Sequence, residues 1–391
     1  MKKFLMASAA TAVMAGGAMA EDVKIGVILG YTGPIESLTP MMADSAELAL
    51  KEANESGKFL DGVTLVPVRA DSTCVDSAAA TAAAERLVTS DGIVAIMGAD
   101  CSGVTGAVLA NVAVPNGVPM VSPSATSPAL STAADDDLFF RTAPSDARQG
   151  AVLAAILKEQ GIDEIALTYT NNDYGKGLAD SFAAQYEGTI TLSAPHEDNK
   201  ADYSAEIGAL ASAGGKALAV FGYADSGGKG MIRAALDSGA FDMFVLGDGM
   251  YGDSLLADFG SDLDGTIGSV PWSEGEGADA FKAVTEAAGV NGESSFTRES
   301  YDAAALIAMA MVKGGAATSA AVKENLLAVA NAPGEKILPG ELAKAFEILA
   351  SGGDVDYVGA TNVELIGPGE AAGTYREYVV KDGKFETVKF R

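Results

Sequence analysis

Short apolar runs, glycine- and serine-rich turns and alanine-rich segments of helical spacing alternate along this chain, and that alternation governs what it can fold into. Apolar runs at 23–29, 63–70, 94–97 and 118–121 each end in such a turn, with helical segments at 41–53 and 77–88 between them. A second series places strands at 164–169, 189–194, 217–221 and 243–247, with helices at 149–160, 176–185, 203–213 and 230–238. Alternation of this kind predicts an α/β fold with mainly parallel sheets and right-handed crossovers, and two series predict two lobes. Helices at 278–288, 300–313, 320–330 and 340–350 have no buried strand between them, so they are expected to complete the first lobe. Strands at 362–366, 375–381 and 386–390 are expected to close the second. The expected division is residues 21–141 with 275–351, and residues 142–274 with 352–391. Three crossings near 141–145, 269–274 and 352–359 would then act as a hinge.

The first 20 residues have a basic start at Lys2 and Lys3, an apolar run, and Ala18-Met19-Ala20 ahead of Glu21. This is the pattern of a secretory signal cleaved after Ala20. The apolar run falls short of the roughly 20 residues that a membrane anchor needs. Cleavage leaves 371 of the 391 residues, and the formal charge moves from −27 to −29 because two lysines leave with the signal. So acidic a chain is a poor partner for nucleic acid or an anionic membrane. An exported protein with two cores is the expectation.

The stretch from Ile93 to Leu130 holds the most specific chemistry. Its two strands run into Cys101-Ser102-Gly103 and Ser124-Ala125-Thr126-Ser127, each expected to open a helix. Parallel strands that end in donor-rich turns present free N–H groups at the carboxyl edge of the sheet, where open α/β folds bind ligands. Ser102 and Thr126 are either plain helix caps or donors to a small anion, and two hydroxyl turns at successive strand ends favour the site. The only cysteines, Cys74 and Cys101, each follow a strand, and an oxidising compartment favours a disulfide between them. Metal ligation is weak, since no CxxC occurs and the one histidine, His196, falls in what reads as a polar loop.

KIGVILGYTGP, GADCS, VSPSATSP, FRTAPSDARQG, NDYGKGLAD, FGYADSGG, LGDGMYG and ESYDAA occur in that order. In order and spacing they resemble the branched-chain amino-acid (Leu/Ile/Val) binding proteins, the type I periplasmic solute-binding proteins of ABC importers. The resemblance covers nearly the whole mature chain and implies two Rossmann-like lobes with the ligand between them. It implies that a ligand carboxylate meets Ser102, Ser124 and Thr126, with Ala125 in the same turn. The ligand ammonium would meet the backbone at Ser124, Thr126 and an acidic residue, here Asp248, where many relatives carry glutamate. Tyr174 would close over the ligand from a loop of the second lobe, and a further tyrosine position falls at Tyr223 or Ala224. Tyr31, Phe296 and Tyr301 would shape the side-chain pocket. The Cys74–Cys101 pairing matches the family as well.

The resemblance implies binding rather than catalysis, no cofactor or metal, a periplasmic location, membrane permease subunits as partners, and a mode of action that favours a monomer. An enzyme reading finds no GxSxG elbow and one histidine only. Relatives of the family take up amides, urea or aromatic acids, and a sensing subunit docked on a membrane receptor would share the same fold.

Overall fold

The structure, a computed structural model, describes residues 21–391, so the expected signal segment at 1–20 lies outside the described residues. The first sheet contains β1 (Glu21–Leu29), β2 (Val63–Asp71), β3 (Ala95–Gly98), β4 (Met120–Ser122) and β5 (Phe139–Arg141). All are parallel, in the order β2-β1-β3-β4-β5. The second sheet contains β6 (Glu164–Thr170), β7 (Thr189–His196), β8 (Ala217–Phe221), β9 (Phe244–Leu246) and β10 (Ile267–Pro271). These repeat the same parallel order, β7-β6-β8-β9-β10. An antiparallel pair, β11 (Tyr375–Lys381) and β12 (Lys384–Phe390), extends that sheet beyond β10. Both sheets therefore carry a switch point, between β1 and β3 and between β6 and β8, and each presents it at its carboxyl edge.

The strands are apolar on both faces because helices cover both. Ile25, Val27, Ile28 and Leu29 of β1 and all of β8 are buried. The helix Thr297–Gly314 is buried almost all round, packed between the helices Thr39–Glu55 and Ser319–Ala330 and against β3 and β4. This is the place for an alanine- and methionine-rich segment that shows no polar face. At Gly98 the chain turns with φ +131°, and a Cβ there would lie 2.2 Å from the Ile28 carbonyl oxygen. Glycine is thus required where β3 delivers the chain to Cys101. The disulfide Cys74–Cys101 joins the ends of neighbouring strands, with Cα atoms 5.1 Å apart.

Four expectations are corrected. A short strand, Glu335–Ile337, does occur among the C-terminal helices; it pairs in parallel with Val355–Tyr357. Residues 362–366 do not join the second sheet; Leu365–Ile366 pairs only with Glu370–Ala371. That ribbon is tied to the first lobe's side by the Asn331 amide, which donates to the Leu365 carbonyl (2.9 Å), and by the Arg141 N–H, which donates to the Gly369 carbonyl (2.9 Å). The chain consequently passes to the second sheet between Ala371 and Tyr375, after the point expected at 352–359. Finally, His196 is not in a loop but ends β7, buried, with Nδ1 2.8 Å from the Thr168 hydroxyl. Among the described residues no single helix is long and apolar enough to cross a membrane.

Candidate functional site

The carboxyl edges of the two sheets face one another across a cleft that leaves about 320 Å³ of free space, its mouth included. Ile35, Leu38, Asp100, Cys101, Ser102, Ser124 and Phe296 line it from the first sheet's side. Tyr174, Tyr223, Asp248 and Gly249 line it from the second. Apart from Phe296, which precedes the helix Thr297–Gly314, these residues follow β1, β3, β4, β6, β8 and β9. The site is therefore built from strand ends next to the two switch points.

On the first side, Ser102 starts the helix Ser102–Val108, with Cys101 at the cap position. The Ser102 hydroxyl does not cap its own helix; it accepts the Ser127 N–H (3.1 Å) and so pins the two donor turns together. The turn after β4 does not open a helix at Ser124 as expected. It leads to a short 3-10 turn, Pro128–Thr132, which Ser127 caps by accepting the Ala129 N–H (3.3 Å). The Ser124 hydroxyl donates to the Asp100 carbonyl (3.0 Å). Asp100 itself is buried and accepts from the Gly30 N–H (2.6 Å), the Ser72 hydroxyl (2.9 Å) and the Cys101 N–H (2.9 Å). It thereby clamps the ends of β1, β2 and β3 while burial raises its pKa.

On the second side, Tyr174 lies in the first turn of the helix Asp173–Gln185 rather than in a loop. Its hydroxyl donates to Asp248 (2.7 Å) and accepts the Gly249 N–H (3.0 Å), and its ring stacks on Tyr223 with centroids 5.2 Å apart. The helix-breaking residues around Tyr174 conceal only the start of this helix, expected from residue 176, because Asn172 caps it earlier by accepting the Gly175 N–H (3.0 Å). Tyr223 faces the cleft, whereas Ala224 packs into the second core. Asp248 is 2% exposed, and among the described residues no basic side chain pairs with it. Burial pushes its pKa up to about 6.

Two of the expected aromatic residues are not brought to the cleft. Tyr301 is in the core of the first lobe, where its hydroxyl bonds Glu52 and accepts the Gly340 N–H (3.2 Å) and its ring packs edge-on against Phe281. Tyr31 is half-buried, with the Arg69 guanidinium 5.8 Å from its ring. Its hydroxyl is buried without a partner among the described residues and does not line the cleft. Ala125 and Thr126 sit just behind the lining: the Ala125 carbonyl accepts from Arg141 (3.0 Å), and the Thr126 hydroxyl is buried with no partner among the described residues. Sequence reasoning missed Asp100, Ile35 and Leu38, and reached Gly249 only as part of a loop, 249–251, expected to limit the pocket's volume. For Asp100 the signal was present, an acid beside Cys101 at a strand end; for Ile35 and Leu38 nothing marks two apolar residues in a loop as lining.

Two sheets of one topology, joined by three crossings and holding polar strand-end residues between them, define an interlobe solute-binding protein. Residues 22–341 match the model of the periplasmic binding protein family. A Leu/Ile/Val-binding protein homolog from Brucella melitensis is 34% identical over 67% of this chain and 70% of its own length. A substrate-binding protein of a chemotactic signal transduction system from Halobacterium salinarum is 28% identical over 94% of this chain and 89% of its own. Among solved structures, the substrate-binding protein LivJ of Streptococcus pneumoniae, in complex with isoleucine, superposes with a TM-score of 0.76. That match covers 94% of this chain and 100% of the other, at 24% identity. The chain belongs to the type I periplasmic binding proteins, in the branched-chain amino-acid family.

Proposed function

We propose that this chain is the extracytoplasmic receptor of an ABC importer and binds a zwitterionic amino acid, branched-chain or similar, between its lobes. The observation that carries the reading is Asp248: a buried carboxylate with no basic partner among the described residues, on the far side of the cleft from the hydroxyl and N–H of Ser102. A ligand carboxylate seats on Ser102, the Ser124 backbone and the Thr126 N–H, where backbone donors at strand and helix ends favour an anion. Its ammonium meets Asp248 and the Ser124 and Thr126 positions, and Tyr174, Tyr223, Phe296, Ile35 and Leu38 surround its side chain. Each charge-assisted bond made away from water contributes about 1.5–3 kcal/mol. Only the closed form offers both ends at once, so the ligand drives closure. The closed form is then what the permease recognises. Nothing in this mechanism breaks a bond, and the named relatives are binding proteins.

A sensing role has one specific support: the Halobacterium relative is named for chemotactic signal transduction. Both roles require the same binding step. A thermal-shift screen of the mature chain, stripped of ligand by unfolding and refolding, tests that step against amino acids, amides, urea and aromatic acids. A ligand at about 100 times its dissociation constant adds about 2.7 kcal/mol. Shifts by amino acids that Asp248→Ala abolishes support the reading. Shifts by aromatic acids or urea alone overturn it.

A further inference from the structure

Asp146 stands directly after the first crossing, as the first residue of the helix Asp146–Gln160. Its side chain is 0% exposed, and the one side-chain donor beside its carboxylate, the Thr126 hydroxyl, lowers its pKa against the larger effect of burial without reaching ordinary hydrogen-bond geometry. The buried cation Arg141 acts on Asp146 through its charge but makes no hydrogen bond to it: its terminal nitrogens bond the carbonyls of Ala125 (3.0 Å) and Ser127 (2.9 Å), Ser131 (2.8 Å) and Glu370 (2.8 Å), and its Nε has no partner among the described residues. A desolvated carboxylate without donors is a large burden on a fold. Capping does not account for it: Ser145 caps this helix by accepting the Ala147 N–H. An acid in the first turn also gains from the helix dipole, but that gain is available at the surface and does not call for complete burial.

The surroundings of Asp146 supply a reason. Its N–H donates to the Thr126 carbonyl (2.9 Å), which fixes the two residues side by side. The Thr126 hydroxyl is likewise buried and without a partner at bonding distance. From the second lobe, Asp248 is near enough that its charge adds to burial in raising the Asp146 pKa, and the Tyr174 hydroxyl sits on Asp248. The first crossing, the first lobe and the second lobe thus each send one group to the same place, and two of the three have bonding capacity to spare.

We propose that Asp146 is a positioning residue for the ligand's cationic nitrogen: it accepts the Thr126 hydroxyl proton in a hydrogen bond, turning the Thr126 lone pair toward the nitrogen, and adds a second negative charge behind Asp248. The pair Asp146 and Asp248 therefore selects ligands that bear a protonated nitrogen over plain carboxylic acids of the same shape. This rests on the amino-acid reading above and extends it to a residue outside the cleft lining.

The test compares the wild type with Asp146→Asn, Thr126→Val and the double variant. Dissociation constants are measured for leucine, or whichever amino acid shifts the wild type most, and for the same molecule lacking its amino group (for leucine, 4-methylpentanoate). Asp146→Asn is expected to weaken the amino acid about ten- to a hundred-fold while leaving the deaminated acid within about twofold, with no fall in melting temperature. Thr126→Val is expected to show the same selective loss, and the double variant little more than either. Equal weakening of both ligands, with a lower melting temperature, marks a structural residue and overturns the proposal. If Asp146→Asn does not fold, Thr126→Val decides by the same selectivity ratio. A wild type that binds no amino acid overturns this proposal and the reading beneath it together.

Discussion

Asp248→Asn is expected to move stability and affinity in opposite directions. The carboxyl of Asp248 has its pKa raised by burial from 3.8 to about 6. A group whose folded pKa lies above its unfolded one binds its proton more tightly in the folded state. Its stabilising effect is complete below pH 3.8 and is lost as pH rises through about 6. Two pKa units correspond to roughly 3 kcal/mol, which ligand-free wild type gives up between about pH 4 and pH 7.5. Asparagine keeps an oxygen to accept the Tyr174 hydroxyl, now at 2.7 Å, and carries no charge. The ligand-free variant should therefore match the wild type near pH 4 and exceed it at pH 7.5, by up to roughly 3 kcal/mol to the extent that the empty lobes stay closed over residue 248. Toward an amino acid the same variant should bind about ten- to a hundred-fold more weakly, having lost a charge-assisted bond. Urea unfolding at pH 4, 6 and 7.5, followed by the fluorescence of the single tryptophan, Trp272, measures the first quantity; calorimetric titration measures the second. A variant less stable than the wild type at pH 7.5 would refute the account of Asp248 as an unpaired charge. A more stable variant that binds unchanged would refute its role in the site.

Glu299, in the first turn of the helix Thr297–Gly314, has its pKa pushed up by burial to about 8. Its contribution is complete below pH 4.5 and lost as pH rises through about 8, so Glu299→Gln should remove a slope of up to roughly 1.4 kcal/mol per pH unit between pH 5 and 8; parallel pH profiles of the two proteins would contradict this. His196 shows the reverse sign. Burial lowers its pKa to about 4, so its contribution is complete above pH 6.5 and lost as pH falls through about 4, and an NMR titration of its ring with a midpoint near 6.5 would show the ring to be exposed. Replacing Cys74 and Cys101 by alanine opens a loop of sequence separation 27, for which chain entropy gives about 3.6 kcal/mol. Unfolding free energy should fall by that order and amino-acid affinity with it, because Cys101 holds the turn that carries Ser102. Unchanged affinity would mean that Asp100 alone fixes that turn.

The two series of strands and helices were legible because each buried strand is an apolar run between turn formers, a pattern local to a few residues. The two sheets' shared order was not, since nothing local distinguishes a chain returning to one side of its sheet from one going to the other. Tyr174 illustrates a second limit: Asn172, Asp173 and Gly175 have loop composition, yet they form a capped helical start because Asn172 supplies the acceptor for the Gly175 N–H. The last crossing lies later than its glycines suggest for a related reason. Gly352, Gly353 and Gly359 mark a break in the helices, but Val355–Tyr357 stays with the first lobe because Asp302 anchors both Tyr357 and the turn at Ala360 and Thr361. That buried carboxylate accepts from the Tyr357 hydroxyl (2.8 Å), the N–H groups of Ala360 (2.8 Å) and Thr361 (2.9 Å), and the Thr361 hydroxyl (2.7 Å). Tyr301 and Tyr31 resemble cleft residues in sequence because aromatic rings near strand and helix ends serve cores and ligands alike. Asp146 left a trace in FRTAPSDARQG, but its burial depends on a neighbour from each lobe and is visible only in the fold.

The contacts that join the lobes outside the cleft are few among the described residues and mostly between uncharged groups. The Ser37 N–H donates to Asp225 (2.9 Å), the Asp225 N–H to the Pro34 carbonyl (3.1 Å), and the Ser295 hydroxyl to the Tyr251 carbonyl (3.1 Å). Net of water, such bonds contribute about 0.5–1.5 kcal/mol each, enough to define the closed geometry but not to hold it against a few kilocalories of opposing cost. Closure without a ligand carries that cost, because it removes Asp248 from water, next to Asp146, with no cation between them. On the proposed reading an ammonium cancels the cost and adds bonds to both lobes, so the carboxylates that weaken the empty closed state are the ones that make closure depend on the ligand. A cleft floored by neutral groups would close as readily empty as full, and a permease that recognises the closed form could then not distinguish a loaded receptor from an unloaded one.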